Sequence, residues 1–265
     1  MADIPWRTLQ IFLLLLSVGF ISTSIRTPSV IEEAARQAAK KRSTCSSRAV
    51  NSRDHPYYAT IVSDCNESFR LQGIIISEYH IIASIDFVPP KTEFCSFTVH
   101  PGSNGQGNTE SARDAMLIKE QRISFFKLTD PIQLNGSVQP IKMIENDEEM
   151  KSGDPAVVTS VIPDSWNRNE DERVFKATVI VKSEQGCRDF VSQWRSDQSN
   201  SCKDALWIET SNLPCPLSMS SALLRNGRLA GISGNLPNFG IGGQVLDGFL
   251  NIARYREVIR EYTGI

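Results

Sequence analysis

The stretch Leu71–Phe87 reads LQGIIISEYHIIASIDF, and its apolar runs point to the fold class. Within it, Gly73–Ile76 is one of several short β-branched and apolar runs bounded by Gly, Pro, Asn or Asp. The other runs are Tyr57–Val62, Ala156–Ile162, Val174–Val181 and Leu229–Ile232. Short strands at even spacing predict an all-β barrel or sandwich. A chain of 265 residues is long enough for one large domain of this kind or for two small ones.

Two further stretches carry motifs that can be compared with known families. Gln121–Leu128 reads QRISFFKL and is followed by Pro131, Leu134, Asn135 and, further on, Ile141. Cys215–Leu223 reads CPLSMSSAL. With Leu71–Phe87, they resemble the active-site segments CGGSLIS…WVLTAAHC, NDIALLKL…P…LN…VQPI and CQGDSGGPL of the chymotrypsin/trypsin family of serine proteases. The resemblance covers roughly residues 55–265. It implies an all-β fold of two six-stranded antiparallel β-barrels and a C-terminal α-helix.

Each of the three segments lacks the residue that does chemistry in the family. Asp86 stands where the family has its general-base histidine, Arg122 where it has the orienting aspartate, and Met219 where it has the nucleophilic serine. A thioether cannot attack a carbonyl, an aspartate cannot shuttle a proton as imidazole does, and an arginine cannot stabilise an imidazolium. The resemblance therefore implies a protein without a catalytic triad.

Neighbouring positions of the motifs are replaced in the same way. Leu217 occupies the position of the glycine whose N–H completes the oxyanion hole, and Ser218 that of the aspartate that pairs with a newly cut N-terminal amine. Leu213 replaces the specificity-pocket aspartate of trypsins, so we expect a basic side chain to find no counter-charge. Leu71 and Phe87 stand where the family has a pair of bridged cysteines, and the loss of both halves together supports the register.

The first 24 residues are typical of a secretory signal, with Arg7 before the apolar run Ile11–Phe20 and with small residues up to Ser24. A membrane anchor is the alternative, but the run is shorter than the about 20 residues that a span needs. Residues 25–48 are a propeptide-like segment, in which Ile31–Arg42 predicts either a short helix ending at a basic cleavage site or a solvated tail. Cleavage after Arg48 is expected not to order a pocket.

The resemblance divides the remaining residues, 49–265, into three parts. The first barrel is expected over about residues 49–147 and the second over about residues 148–250. A C-terminal helix is expected over about residues 251–263, where the apolar residues Ile252, Tyr255, Val258 and Ile259 recur at helical spacing.

An even number of cysteines in a secreted chain suggests disulfide bridges. The six are Cys45, Cys65, Cys95, Cys187, Cys202 and Cys215. The resemblance implies a Cys187–Cys202 bridge, but no cysteine follows Cys215 to act as its family partner. That partner is one of Cys45, Cys65 and Cys95 or belongs to another chain, and we favour Cys45–Cys215 with Cys65–Cys95. No cysteine pair has CxxC spacing, and the three histidines His55, His80 and His100 lie far from any cysteine cluster, so we expect no metal and no cofactor.

Two sequons, at Asn66 and Asn135, predict N-glycosylation of a secreted chain. The formal net charge of −2 gives no electrostatic reason to expect nucleic acid binding, and no membrane contact is expected once the signal is removed. The resemblance, to homologues of an insect type, implies a secreted, non-catalytic protein. It would bind extracellular proteins such as proteases as a cofactor, decoy or regulator in reproduction (seminal fluid) or immunity.

Two other functions remain open from the sequence. One is an active serine hydrolase with relocated catalytic groups, drawn from Ser218, Ser220, Ser221 and His100. The other is a protease inhibitor that presents a loop, although no distinctive reactive segment stands out. Covalent labelling by a fluorophosphonate separates the first alternative from a non-catalytic fold.

Overall fold

A computed structural model describes most of the chain from Cys45 to the C-terminus. The described residues are Cys45 and residues 49–51, 54–64, 70–84, 95–102, 113–120, 123–161, 173–192, 202–203, 205–234, 239–241 and 244–265. They fall within one compact unit, Thr44–Ile265. The signal segment 1–24 and the predicted helix Ile31–Arg42 lie outside them.

The first barrel is a closed ring of six antiparallel strands. Five of its strands are β2 (Tyr58–Ser63), β3 (Arg70–Ile75), β4 (His80–Ser84), β5 (Phe97–Pro101) and β6 (Arg113–Glu120), counting the short strand Ala49–Asn51 as β1, and the sixth is β7 (Ile123–Leu128). Their order around the ring is β2-β3-β4-β7-β6-β5. Apolar side chains of alternate residues, such as Ile61, Ile81 and Phe126, fill the ring. Gly73 is required there, because a Cβ atom would lie 2.5 Å from Ile81 Cγ2.

The second barrel is a larger antiparallel sheet that also closes on itself. Its ring consists of β8 (Pro155–Val161), β9 (Arg173–Lys182), β10 (Ala205–Glu209), β11 (Ala222–Arg225), β12 (Arg228–Ser233) and, after β13 (Phe239–Ile241), β14 (Gln244–Asn251). The order is β9-β10-β14-β12-β11-β8, and pairing of β8 with β9 closes it. β13 pairs with β14 outside the ring. The two six-stranded barrels predicted from the sequence are therefore confirmed.

The place of β1 differs from the predicted domain boundaries. The predicted boundary of about residue 49 assigns this strand to the first barrel. Its residues Ala49, Val50 and Asn51 pair with Phe175, Val174 and Arg173 on β9 of the second barrel. A strand of three residues carries no sequence signal for its partner, because the pairing is set by a strand more than a hundred positions away.

Two helices pack on the second barrel. α1 (Glu184–Ser192) was not predicted, and its two buried residues are Cys187 and Val191. α2 (Ile252–Thr263) agrees with the predicted C-terminal helix and buries Ile252, Tyr255 and Ile259 among others. It ends at Gly264, whose φ of 76° is left-handed and whose N–H donates to the Arg260 carbonyl. No helix in the described part of the chain is long and apolar enough to cross a membrane.

One buried cluster holds the two barrels together. Tyr58 and Ile74 of the first barrel and Val158 and Leu223 of the second all belong to it. At its centre the Tyr58 hydroxyl donates to the Thr159 carbonyl at 2.8 Å and accepts from the Ala222 N–H at 3.2 Å. Because Ala222 begins β11, this contact fixes the end of the loop that precedes that strand.

Candidate functional site

The loop between β10 and β11 carries most of the predicted site residues that the structure describes. We call Leu213–Ser221 the Met219 loop. Met219 is 44% exposed, whereas Leu213 is only 8% exposed. Asp86 and Arg122 lie outside the described residues, so their assignment to the other two triad positions stays a prediction.

Four serine side chains hold the inner side of the Met219 loop. The Ser218 N–H donates to Ser160 Oγ at 2.8 Å, and the Ser218 hydroxyl lies 3.0 Å from the same oxygen. The Ser218 carbonyl accepts from Ser221 Oγ at 2.6 Å and from Ser233 Oγ at 2.9 Å. The Ser221 N–H donates in turn to Ser233 Oγ at 2.8 Å. We call Ser160, Ser218, Ser221 and Ser233 the serine cluster. Its hydroxyl groups, all neutral, bond the Ser218 N–H, the Ser218 carbonyl and the Ser221 N–H of the loop.

Ser220 connects the Met219 loop to the first barrel. Its Oγ accepts from the backbone N–H of Ser84, the last residue of β4, at 3.2 Å. Ser220 has a φ of 58°, in the left-handed region that favours glycine. The residue therefore combines an unfavourable backbone conformation with a side-chain contact that glycine cannot make.

A disulfide attaches the N-terminal side of the loop to the segment before β1. Cys45 and Cys215 are bonded with a Cα–Cα distance of 4.9 Å. Both are almost fully buried and belong to the core cluster that includes Leu213, while the half-buried Leu217 packs against that cluster. This is the pairing favoured from the sequence, as is Cys187–Cys202. Cys95 is also disulfide-bonded, whereas Cys65 lies outside the described residues.

Thr210 bonds both to the backbone of Leu213 and to a carboxyl group that the sequence analysis does not single out. The Leu213 N–H donates to the Thr210 carbonyl at 3.0 Å, and the Thr210 hydroxyl donates to the Asp247 carboxyl. Burial raises the pKa of Asp247. Asp247 is the acid within an otherwise uncharged strand, QVLDGFLN, of β14. The expectation that a basic side chain finds no counter-charge at Leu213 stays a prediction.

None of the hydrogen bonds described for the histidines joins one to a serine of the Met219 loop. His55 Nδ1 lies 3.0 Å from the Tyr57 hydroxyl, and His80 Nδ1 lies 3.0 Å from Ser77 Oγ. Burial is the main cause that lowers the pKa of His55, His80 and His100, with nearby cations adding to it. His100 lies on β5, opposite Thr60 of β2. The serine–histidine contact at His80 lies within the turn between β3 and β4, three residues from Ser77. The described hydrogen bonds thus pair no serine of the Met219 loop with a histidine that could activate it.

The residues of the serine cluster were only partly found from the sequence. Ser218 and Ser221 fall inside a recognised motif, but Ser160 and Ser233 lie on β8 and β12 and carry no distinguishing pattern. Among the described residues, no group of three or more His, Cys, Asp or Glu side chains could hold a metal ion. The described chemistry of the site is therefore that of hydroxyl groups, an exposed thioether and a disulfide.

Comparison with known proteins shows which solved structures share this fold. No protein-family model matches the chain. The structure is similar to the scabies mite inactivated protease paralogue S-D1, with a TM-score of 0.62 and 14% identity over 82% of this chain and 96% of that one. It is similar to kallikrein-related peptidase 10, with a TM-score of 0.58 and 14% identity over 80% and 98%. HL collagenase gives a TM-score of 0.63 and 16% identity over 82% and 97%.

These similarities establish a trypsin-like fold and do not decide activity. One of these proteins is named as inactivated, whereas the names of the other two denote a peptidase and a collagenase. Activity therefore has to be judged from the residues of this chain.

Proposed function

We propose that the chain is a secreted, non-catalytic protein with a trypsin-like fold, and that it acts by binding another extracellular protein. The proposal rests on the composition and contacts of the Met219 loop. The position that resembles the family's nucleophile holds a thioether that is 44% exposed, on a loop whose neighbouring hydroxyls bond to one another and to the backbone. A thioether has no proton to lose and forms no acyl intermediate.

The serines of the loop are poor candidates for a substitute nucleophile. Ser221 is fully buried, and its hydroxyl contacts the Ser218 carbonyl and Ser160 Oγ. Ser220 is 1% exposed, and its oxygen accepts from the Ser84 N–H. Ser218 is half-buried and contacts Ser160. No imidazole among the described contacts approaches them, which supports the non-catalytic assignment over a relocated hydrolase.

The proposed setting is extracellular. Buried disulfides at Cys45–Cys215 and Cys187–Cys202 are typical of proteins that fold in an oxidising compartment, and this agrees with the signal-like N-terminus. Within that setting we propose the role of a cofactor, decoy or regulator, in a process such as reproduction or immunity. The proposed partner is a secreted protein, and a protease is one such candidate.

The binding proposal is tested with two matched substitutions of exposed apolar residues. Met219→Asp changes the loop, and Ile180→Asp changes a residue on β9 that is 50% exposed. Proteins from the native secretion are captured on the immobilised chain, and each captured protein is then titrated in purified form. We expect at least one partner whose affinity falls about tenfold or more with Met219→Asp and is unchanged with Ile180→Asp. Equal effects of both substitutions on every partner would contradict the role of the Met219 loop.

A further inference from the structure

We infer that the Met219 loop already holds its final shape in the uncleaved chain, and that cutting the chain before β1 does not remodel it. This concerns the regulation of the site and rests on the proposed function for its biological meaning. In the serine proteases that the sequence resembles, a new N-terminal amine pairs with the aspartate beside the nucleophile. In this chain, Ser218 replaces that aspartate, and both Ser218 and the residues that follow Arg48 make other contacts.

The serine cluster occupies the place where the aspartate would accept the N-terminal amine. Ser160 and Ser221 are 1% and 0% exposed, so the cluster is part of the interior. Ser218 contributes its N–H, its hydroxyl and its carbonyl to bonds with Ser160, Ser221 and Ser233. An ammonium that entered this place would lose its hydration and would meet hydroxyl groups without a carboxylate among them.

The segment that would supply the new N-terminal amine forms the strand β1. The residues that follow Arg48 form β1 and pair with Phe175, Val174 and Arg173 of β9. A new N-terminus at Ala49 could reach another site only by giving up this pairing. Since the cluster would offer no counter-charge in return, the strand is the more stable position.

Two further anchors hold the loop independently of cleavage. Cys215 is bonded to Cys45, and Ser220 Oγ accepts from the Ser84 N–H. Both cysteines are buried, at 4% and 2% exposure. A cut between residues 45 and 49 therefore leaves the N-terminal piece attached next to the loop. Binding through the Met219 loop would then be constitutive and would not be switched on by proteolysis.

Amide hydrogen exchange in the free protein tests the inference. Two loop amides report directly on the cluster, because the Ser218 N–H donates to Ser160 Oγ and the Ser221 N–H to Ser233 Oγ. The exchange rates of both amides are measured before and after cleavage at Arg48 by a trypsin-like protease. We expect the two rates to agree within about twofold. A change of about tenfold or more in either rate on cleavage would overturn the inference.

Substitutions test whether the cluster is the cause. Ser160→Ala removes the acceptor of the Ser218 N–H and is expected to speed exchange of that amide about tenfold, while amides of β14 report that the barrel stays folded. Ser233→Ala removes the Oγ that accepts from the Ser221 N–H, and it provides a second test if Ser160→Ala does not fold. Ser192→Ala, which removes an exposed hydroxyl on α1, is the control and should change neither rate. Unchanged loop exchange in both folded cluster variants would show that the cluster does not hold the loop and would overturn that part of the inference.

These readouts concern the free protein and do not depend on a partner. If the chain proved to be a hydrolase, the proposed function would fail while the exchange result could still hold. If cleavage changed the loop, the inference would fail while a binding role remained.

Discussion

Arg256 of α2 places its guanidinium against the carboxylate of Glu145, in the segment that links the two barrels. Its Nη2 lies 3.1 Å from Glu145 Oε1, and its Nε lies 3.2 Å from Glu145 Oε2. The arginine side chain is 7% exposed, whereas that of Glu145 is 45% exposed. The buried cation thus depends on a carboxylate supplied by another part of the chain, and the pair ties the C-terminal helix to the linker.

Removing the carboxylate should destabilise the fold more than removing the pair. Glu145→Gln leaves the Arg256 guanidinium buried without its counter-charge, and we expect a loss of about 1–2 kcal/mol in the free energy of unfolding at pH 7. The double variant Glu145→Gln with Arg256→Met should recover part of that loss. Urea unfolding measures both. Glu257→Gln, at an exposed position of the same helix, is the control. A double variant less stable than Glu145→Gln would contradict this account.

The same pair predicts a dependence on pH. The hydrogen bond from Arg256 is the main cause that holds the pKa of Glu145 below its ordinary value. A carboxyl group with a lowered pKa stabilises the folded state above its unfolded pKa, and this contribution is lost as the pH falls through the folded pKa. The stability difference between the natural chain and Glu145→Gln should therefore close in acid. A difference that is as large at pH 3 as at pH 7 would count against the assignment.

Ser220 offers a test of backbone strain against side-chain bonding. Ser220→Gly removes the strain of the left-handed backbone conformation, about 1 kcal/mol. It also loses the hydrogen bond from the Ser84 N–H, about 1 kcal/mol. We therefore expect a nearly unchanged free energy of unfolding. Ser220→Ala loses the bond and keeps the strain, and should be about 1 kcal/mol or more less stable than Ser220→Gly. Asn226→Gly is the control, because Asn226 has a φ of 51° in an exposed hairpin. Thermal unfolding would refute the account if the alanine variant were the more stable one.

The Cys45–Cys215 bridge predicts a two-chain product. Cleavage after Arg48 should leave one band on a non-reducing gel and two fragments on a reducing gel, because Cys45 precedes the cut and Cys215 follows it. Replacing both cysteines by serine should release the N-terminal piece and lower the free energy of unfolding by about 2–5 kcal/mol. The matching double substitution of Cys187 and Cys202 should leave the two pieces joined. Release of the piece from the natural chain without reductant would show that the bridge is absent.

Asn135 is expected to carry an N-linked glycan when the chain is made by a secreting cell. It is exposed in a turn, and its Oδ1 accepts from the Ser137 N–H at 2.7 Å. Asn135→Gln and Ser137→Ala should each remove the same mass of carbohydrate, as read by mass spectrometry before and after glycosidase treatment. Asn66→Gln tests the other sequon separately. An Asn135 peptide found only without sugar would rule out the modification at this position.

Much of the fold could be predicted because it depends on local patterns. The run Gly73–Ile76 lies largely within β3, and helical spacing of Ile252, Tyr255 and Ile259 matches the buried side of α2. α1 was missed because only Cys187 and Val191 are buried on it, and two positions over nine residues make no periodic signal.

The candidate site was less predictable because its contacts are long-range. The motif that resembles a nucleophile loop identified Met219, Ser218 and Leu217. It gave no sign that Ser218 bonds to Ser160 or that Ser220 bonds to Ser84, since those partners come from other strands. Serine is also common in loops and turns, so its presence alone indicates no partner.

Reaction with a fluorophosphonate distinguishes a non-catalytic chain from a serine hydrolase. The purified chain, both intact and cleaved after Arg48, is incubated with the probe beside an active trypsin-like protease, and bound probe is located by peptide mapping. We expect no labelling above that of the heat-denatured chain in either form. Stoichiometric labelling at Ser218, Ser220 or Ser221 would contradict it and would establish a serine hydrolase.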